Sequence, residues 1–227
     1  VLLASPNFAD TARALVAAMP EGSLEFIDIT WSHFADKTPR IVLDASHVQG
    51  RDVILLADVC MDDVLSYFSV VYAVPRYFAR TFLVVTPFFP TGTMERVEYE
   101  GEIATAMTLA RMMNATPSPT VGSTCFLHFD IHALATRFFF SDGIKPLLTT
   151  ALPLLQEVVA TEMTPDQNAS KKPLMIAFPD EGARKRFKVL LGDAFDLCVC
   201  SKTRVGDKRV LVLQEGDPDG RDVLIVD

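Results

Sequence analysis

Short apolar runs rich in Val, Ile and Leu alternate along this chain with longer segments whose apolar residues recur at helical spacing. That alternation is the tightest constraint on the fold. Parallel strands need long crossover connections, so strands alternating with helices predict a mostly parallel sheet covered on both faces. Residues 1–4, 24–29, 40–43, 52–57, 81–87, 125–129, 174–178, 195–200, 210–213 and 223–226 read as strands. Residues 10–19, 62–78, 102–114, 146–161 and 182–191 read as helices. Asp62 and Asp63 favour the start of the second helix, and Pro146 suits the first turn of the fourth. Residues 163–172 are polar and aperiodic, and read as a linker or exposed loop. The expected class is α/β, with one domain over residues 1–148 and part of a second over 149–227.

Composition narrows the functions. At 49% apolar and 22% charged, the chain has enough core-forming surface to exclude wholesale disorder. Its formal charge of −8 argues against a nucleic-acid wrapper or a polybasic membrane binder, although a local basic patch could still hold phosphate. No apolar run approaches the ~20 residues of a membrane helix. Cys60, Cys125, Cys198 and Cys200 form no CxxC pair, which predicts buried, reduced thiols in an intracellular protein. The expected compartment is the cytoplasm, with an organelle left open because the chain begins at Val1. It begins inside one strand and stops at Asp227 after another, so both ends read as trimmed.

In open parallel sheets, ligands bind at the carboxyl ends of the strands, so the residues following each apolar run carry the chemistry. After residues 81–87 comes a loop with Pro90, Thr91, Gly92, Thr93 and the charged pair Glu95-Arg96, which suits a ligand loop or an ordinary turn. After 125–129 come Asp130 and His132, two apart and expected on one side of an extended chain. They could bind a divalent metal, or Asp130 could orient a His132 that meets phosphate. His128 and His47 read as structural, and His33 stays open. After 174–178, Asp180 precedes the cationic helix start Arg184-Lys185-Arg186, which suits a metal–phosphate group or a solvated surface. After 195–200, Lys202, Arg204, Lys208 and Arg209 lie on a hairpin arm that could close over a polyphosphate, where such cations stabilise charge developing in the transition state, or that is simply a solvated charged hairpin.

In this order, residues 33–40, 48–56, 88–111, 129–140, 176–187 and 201–209 resemble the ribose-phosphate pyrophosphokinases, also called phosphoribosyl-pyrophosphate synthetases. The resemblance is closest to the phosphate-independent class known from plants. It implies two tandem phosphoribosyltransferase-type domains, the second truncated. It implies transfer of the diphosphoryl group of ATP, or another nucleotide triphosphate, to the 1-hydroxyl of ribose 5-phosphate with Mg²⁺. By the same resemblance His132, Lys202 and Arg204 are catalytic, and Asp130, His132 and Asp180 are metal contacts. Phe34, Asp36, Thr93, Glu95 and Arg96 hold the nucleotide, with Phe34 and Asp36 serving a neighbouring subunit of a homo-oligomer. Asp180 and Asp227 face the ribose phosphate. No nucleic acid or membrane partner is implied.

The departures bear on selectivity. Where the common class has Arg-Gln-Asp, this chain has Thr93, Met94 and Glu95, and the Asp-Gly-Glu of the adenine loop is Asp36-Lys37-Thr38. Fewer polar partners imply looser donor selection. Of the two consecutive acids that open the phosphoribosyl-binding loop, only Asp227 is present, so the fragment alone is expected not to turn over. A catalytically silent associated protein and a phosphoribosyltransferase are the competing readings. Retention of Lys202, Arg204, His132 and Asp180 favours the enzyme over the first, and the whole N-terminal half counts against the second.

Overall fold

A computed structural model describes residues 1–162, 172–191, 195–205 and 208–227. The expected linker at 163–172 falls almost wholly outside the described residues. The chain divides into two compact units, Val1–Thr150 and Ala151–Asp227.

The first unit is built on β1 (Leu2–Ala4), α1 (Ala9–Ala18), the hairpin β2 (Thr30–His33) and β3 (Pro39–Val42), β4 (Asp52–Leu56), α2 (Val64–Arg76), β5 (Thr81–Thr86), α3 (Thr105–Asn114), β6 (Thr124–Phe129) and β7 (Ile144–Thr149). Its main sheet has the order β1-β4-β5-β6-β7, and every pairing is parallel. Alternate residues of each strand feed opposite faces. Leu3, Val53, Leu55, Phe82, Val84 and Phe126 meet Val71 and Val74 of α2 and Leu109 and Met113 of α3. Leu2, Ala4 and Leu56 meet Ala12 of α1 on the other face. Phe126 is fully buried, and truncating such a side chain to Ala costs about 3–5 kcal/mol.

The second unit holds α4 (Leu152–Glu162), β8 (Lys172–Phe178), α5 (Glu181–Leu191), β9 (Asp196–Val205), β10 (Lys208–Glu215) and β11 (Arg221–Ile225). The sheet order is β10-β9-β8-β11, with β8 parallel to both β9 and β11 and β10 antiparallel to β9. Ile176, Phe178, Ala183, Phe187, Leu191 and Val199 form its core. The β9–β10 ladder is irregular between Leu213 and Glu215, and Gly216 beyond it has φ +84°. A Cβ there would lie 2.3 Å from the Leu197 carbonyl oxygen, so only glycine fits.

Three expectations are corrected. Residues 146–161 are not one helix: Pro146 lies inside β7, and α4 begins at Leu152. Pro146 resembles a helix opener, but β7 is the edge of its sheet, where a missing N–H is tolerated. Residues 24–29 are not a strand, making one bridge, Leu2 with Phe26, before the chain turns into β2. The cysteines are not uniformly buried, since Cys60 is exposed and Cys198 alone is fully buried. All four thiols are free.

Candidate functional site

The loop after β5 and the segment after β6 come together at the carboxyl edge of the first sheet. Thr91 stands in the left-handed region at φ 65°, a strained conformation for a β-branched residue. It leads into one 3₁₀ turn over Gly92–Met94. That turn presses its glycine against the histidine: a Cβ on Gly92 would lie 3.4 Å from His132 Cβ. The same turn delivers Glu95, whose Oε1 is 3.8 Å from His132 Nε2. The Glu95 side chain is only 10% exposed, whereas that of His132 is 68% exposed. Glu95 Oε2 and Thr91 Oγ1 are buried and find no hydrogen-bond partner among the described residues. Two orphaned polar atoms on one strained loop are costly, and such costs concentrate at ligand sites. Arg96 is exposed, and the side chain of Thr93 falls outside the description.

Asp130 and His132 do not share one side of an extended chain. Asp130 has φ 44°, so the backbone leaves the strand at once. Its Oδ1 accepts the Thr150 hydroxyl at 2.7 Å, toward β7, while His132 meets Glu95, toward β5. Ile131 between them is buried and pins the turn. Among the described residues, no three His, Cys, Asp or Glu side chains gather into a metal-binding group. A Mg²⁺ here would draw its remaining ligands from water and substrate phosphates, as that ion usually does. The hard carboxylate oxygens of this edge fit it.

His128 is a core residue, as expected. It is fully buried, ringed by Phe89, Phe126 and Phe140, with Nδ1 3.3 Å from the Thr86 carbonyl oxygen. Burial pushes its pKa down to about 4, because the cation has no solvation there. His33 pairs through Nε2 with Asp63 Oδ2 at 3.1 Å, tying the hairpin to the start of α2. His47 is at the surface, 3.8 Å from Asp44.

Phe34 and Asp36 sit at the tip of the β2–β3 hairpin. Asp36 Oδ1 accepts the Thr38 amide at 2.9 Å, which lowers the carboxyl's pKa and fixes the turn. In the second unit, Asp180 opens α5: its Oδ1 accepts the Ala183 amide at 3.0 Å. Lys202 and Arg204 lie in β9, opposite Leu211 and Arg209 of β10. Their side chains fall outside the described residues. Asp227 follows β11 and is exposed.

A cavity of about 300 Å³ at the carboxyl ends of β1 and β4 was not anticipated. Its wall includes Ser5, Asn7, Trp31, His33, Asp58 and Asp63. Asp58 accepts the Ser5 hydroxyl at 3.3 Å and the Asn7 amide at 3.1 Å. Ser5 and Asp58 directly follow apolar runs and Asn7 lies two residues past Ser5, so the strand-end rule could have found them. The described wall holds two carboxylates and no Lys or Arg, and does not suit a phosphate.

No family model matches the chain. Curated relatives do. Ribose-phosphate pyrophosphokinase 4 of Oryza sativa subsp. japonica is 41% identical over 216 residues, covering 94% of this chain and 64% of that protein. Ribose-phosphate pyrophosphokinase 3, chloroplastic, of Arabidopsis thaliana is 41% identical over 228 residues, covering 100% and 53%. Ribose-phosphate pyrophosphokinase 3, mitochondrial, of Spinacia oleracea is 42% identical over 212 residues, covering 92% and 50%. The chain thus spans from half to just under two thirds of these relatives. Phosphoribosylpyrophosphate synthetase from Mycobacterium smegmatis matches at a TM-score of 0.72 and 20% identity, over 99% of this chain and 70% of that one. At that identity the likeness shows a shared fold.

Proposed function

We propose that this chain is the greater part of a ribose-phosphate diphosphokinase of the plant type. The observation that carries the reading is the meeting of Gly92, Glu95 and His132 at a strained loop, in a chain 41% identical to ribose-phosphate pyrophosphokinases over nearly its whole length. The reaction joins the 1-hydroxyl oxygen of ribose 5-phosphate to the β-phosphorus of a nucleotide triphosphate. The bond from that phosphorus to the α,β-bridging oxygen breaks, the nucleoside monophosphate leaves, and the hydroxyl proton passes to solvent.

Each residue then has a task. Thr93, Glu95 and Arg96 line the nucleotide, and Phe34 and Asp36 reach it from a neighbouring copy of the chain. Asp130 and His132 of the first unit, and Asp180 of the second, would each offer a ligand to Mg²⁺, which neutralises charge on the phosphates when bound. Lys202 and Arg204 meet the transferring group, where cations held in place lower the barrier without reorganising. Asp180 and Asp227 face the sugar phosphate.

The test is AMP formation from ATP, ribose 5-phosphate and Mg²⁺ by the whole protein, with and without Lys202→Ala and Arg204→Ala together. Loss of at least a hundredfold in kcat is expected. A double variant turning over near the unsubstituted rate overturns the assignment.

A further inference from the structure

Arg40 stands out on the β2–β3 hairpin because its guanidinium lies 5.7 Å from the ring centroid of Phe34 and, among the described residues, no carboxylate pairs with it. Phe34 is 54% exposed, so part of its ring surface is open to solvent. The backbone on either side of the ring is hydrogen-bonded. Phe34 N–H donates to the Thr38 carbonyl at 2.9 Å, and Lys37 N–H donates to the Phe34 carbonyl at 2.9 Å. Lys37 takes the left-handed turn conformation at φ 68°. The Ser32 hydroxyl donates to the Arg40 carbonyl at 2.8 Å, and Trp31 Nε1 to the Ala4 carbonyl at 3.1 Å. A rigid tip thus presents an aromatic ring with a cation over one face.

We infer that Arg40 is a positioning residue for nucleobase recognition: it braces Phe34 from one face so that a base stacks on the other. This rests on the reading of Phe34 as a nucleotide contact. Arg suits the task because its guanidinium is planar, weakly hydrated and stacks on rings, as a Lys ammonium does not. Cation–π attraction at an exposed site is worth a factor of about two to five in an equilibrium constant. Because the support acts through the ring, it is felt by ligands that carry a base and not by phosphates alone.

The experiment is a double-mutant cycle on the whole protein in its native assembly, read as the Kd of Mg·ATP and, separately, of inorganic tripolyphosphate. Arg40→Gln is expected to weaken ATP about two- to fivefold and to leave tripolyphosphate unchanged. Arg40→Lys recovers part of the loss. In a Phe34→Ala background, the Arg40→Gln effect on ATP disappears. Equal weakening of tripolyphosphate makes Arg40 a phosphate contact, and the same factor with Phe34 removed shows that Arg40 acts independently of the ring; either result overturns the inference. ATP binding indifferent to Arg40→Gln overturns it as well, leaving the nucleotide site standing. Absence of ATP binding by the unsubstituted protein overturns the nucleotide reading and this inference with it.

Discussion

The Thr150 hydroxyl, one residue past β7, donates to Asp130 Oδ1 across 2.7 Å and holds a side chain whose own backbone has turned to φ 44°. Two neighbouring strand ends thereby share one carboxylate. Thr150→Val keeps the shape and removes the donor. The Mg²⁺ concentration for half-maximal activity is expected to rise about tenfold, with little change in melting temperature. An unaltered Mg²⁺ dependence would separate Asp130 from the metal.

Gly92 is a graded probe of His132. A Cβ at 3.4 Å from His132 Cβ makes an ordinary van der Waals contact that Ala accepts, while the two extra methyl groups of Val add bulk beside His132. Gly92→Ala is expected to keep most activity. Gly92→Val is expected to lower kcat about a hundredfold, the scale of a misplacement near 1 Å. Equal activity of the two variants in a steady-state assay would deny His132 a positional role.

Glu95 sets stability against function. Its buried Oε2 has no partner among the described residues, so Glu95→Met should stabilise the fold by about 1–3 kcal/mol while diminishing nucleotide binding. Chemical denaturation and ATP titration read the two effects independently. A destabilised variant would mean that the carboxylate is better served than its surroundings suggest.

His128 makes the fold acid-sensitive. Its folded pKa of about 4 lies below the ordinary 6.5, so between those values the unfolded chain binds the extra proton. The stability present above pH 6.5 is therefore lost progressively as pH falls toward 4, by up to about 3 kcal/mol. Urea midpoints across that window should show the slope, and His128→Gln should flatten it. A slope that survives the substitution assigns the effect to carboxylates instead.

Gly216→Ala should cost about 2 kcal/mol or more, because the added methyl meets backbone rather than a yielding side chain. Thermal melts of the whole protein check this. An unchanged melt would mean the β9–β10 irregularity relaxes freely.

Much of the strand–helix order was legible because apolar periodicity is local. Val1–Ala4 and the runs leading to Thr86 and Phe129 emerge as strands for that reason. Pro146 was not legible as a strand residue, since its meaning depends on whether β7 has one neighbour or two. The candidate site divides the same way. Asp130, His132 and Glu95 follow strands and could be named from the chain. Their pairing could not, because the left-handed turns at Thr91 and Asp130 decide which neighbour each side chain meets. Gly92 could be named as part of a loop, but its contact with His132, and the role of Thr150 beside Asp130, become visible only through the residues they touch.

Pro146 also bears on what the first sheet can do with other chains. β7 ends that sheet, and a strand at an edge ordinarily offers a row of amides to any extended segment that drifts past. With proline in the row one donor is missing, and the ladder to β6 is unbroken, so the gap falls on the outward side. A stray strand docking there would lose a hydrogen bond midway and gain little, which leaves the edge a poor template for aggregation.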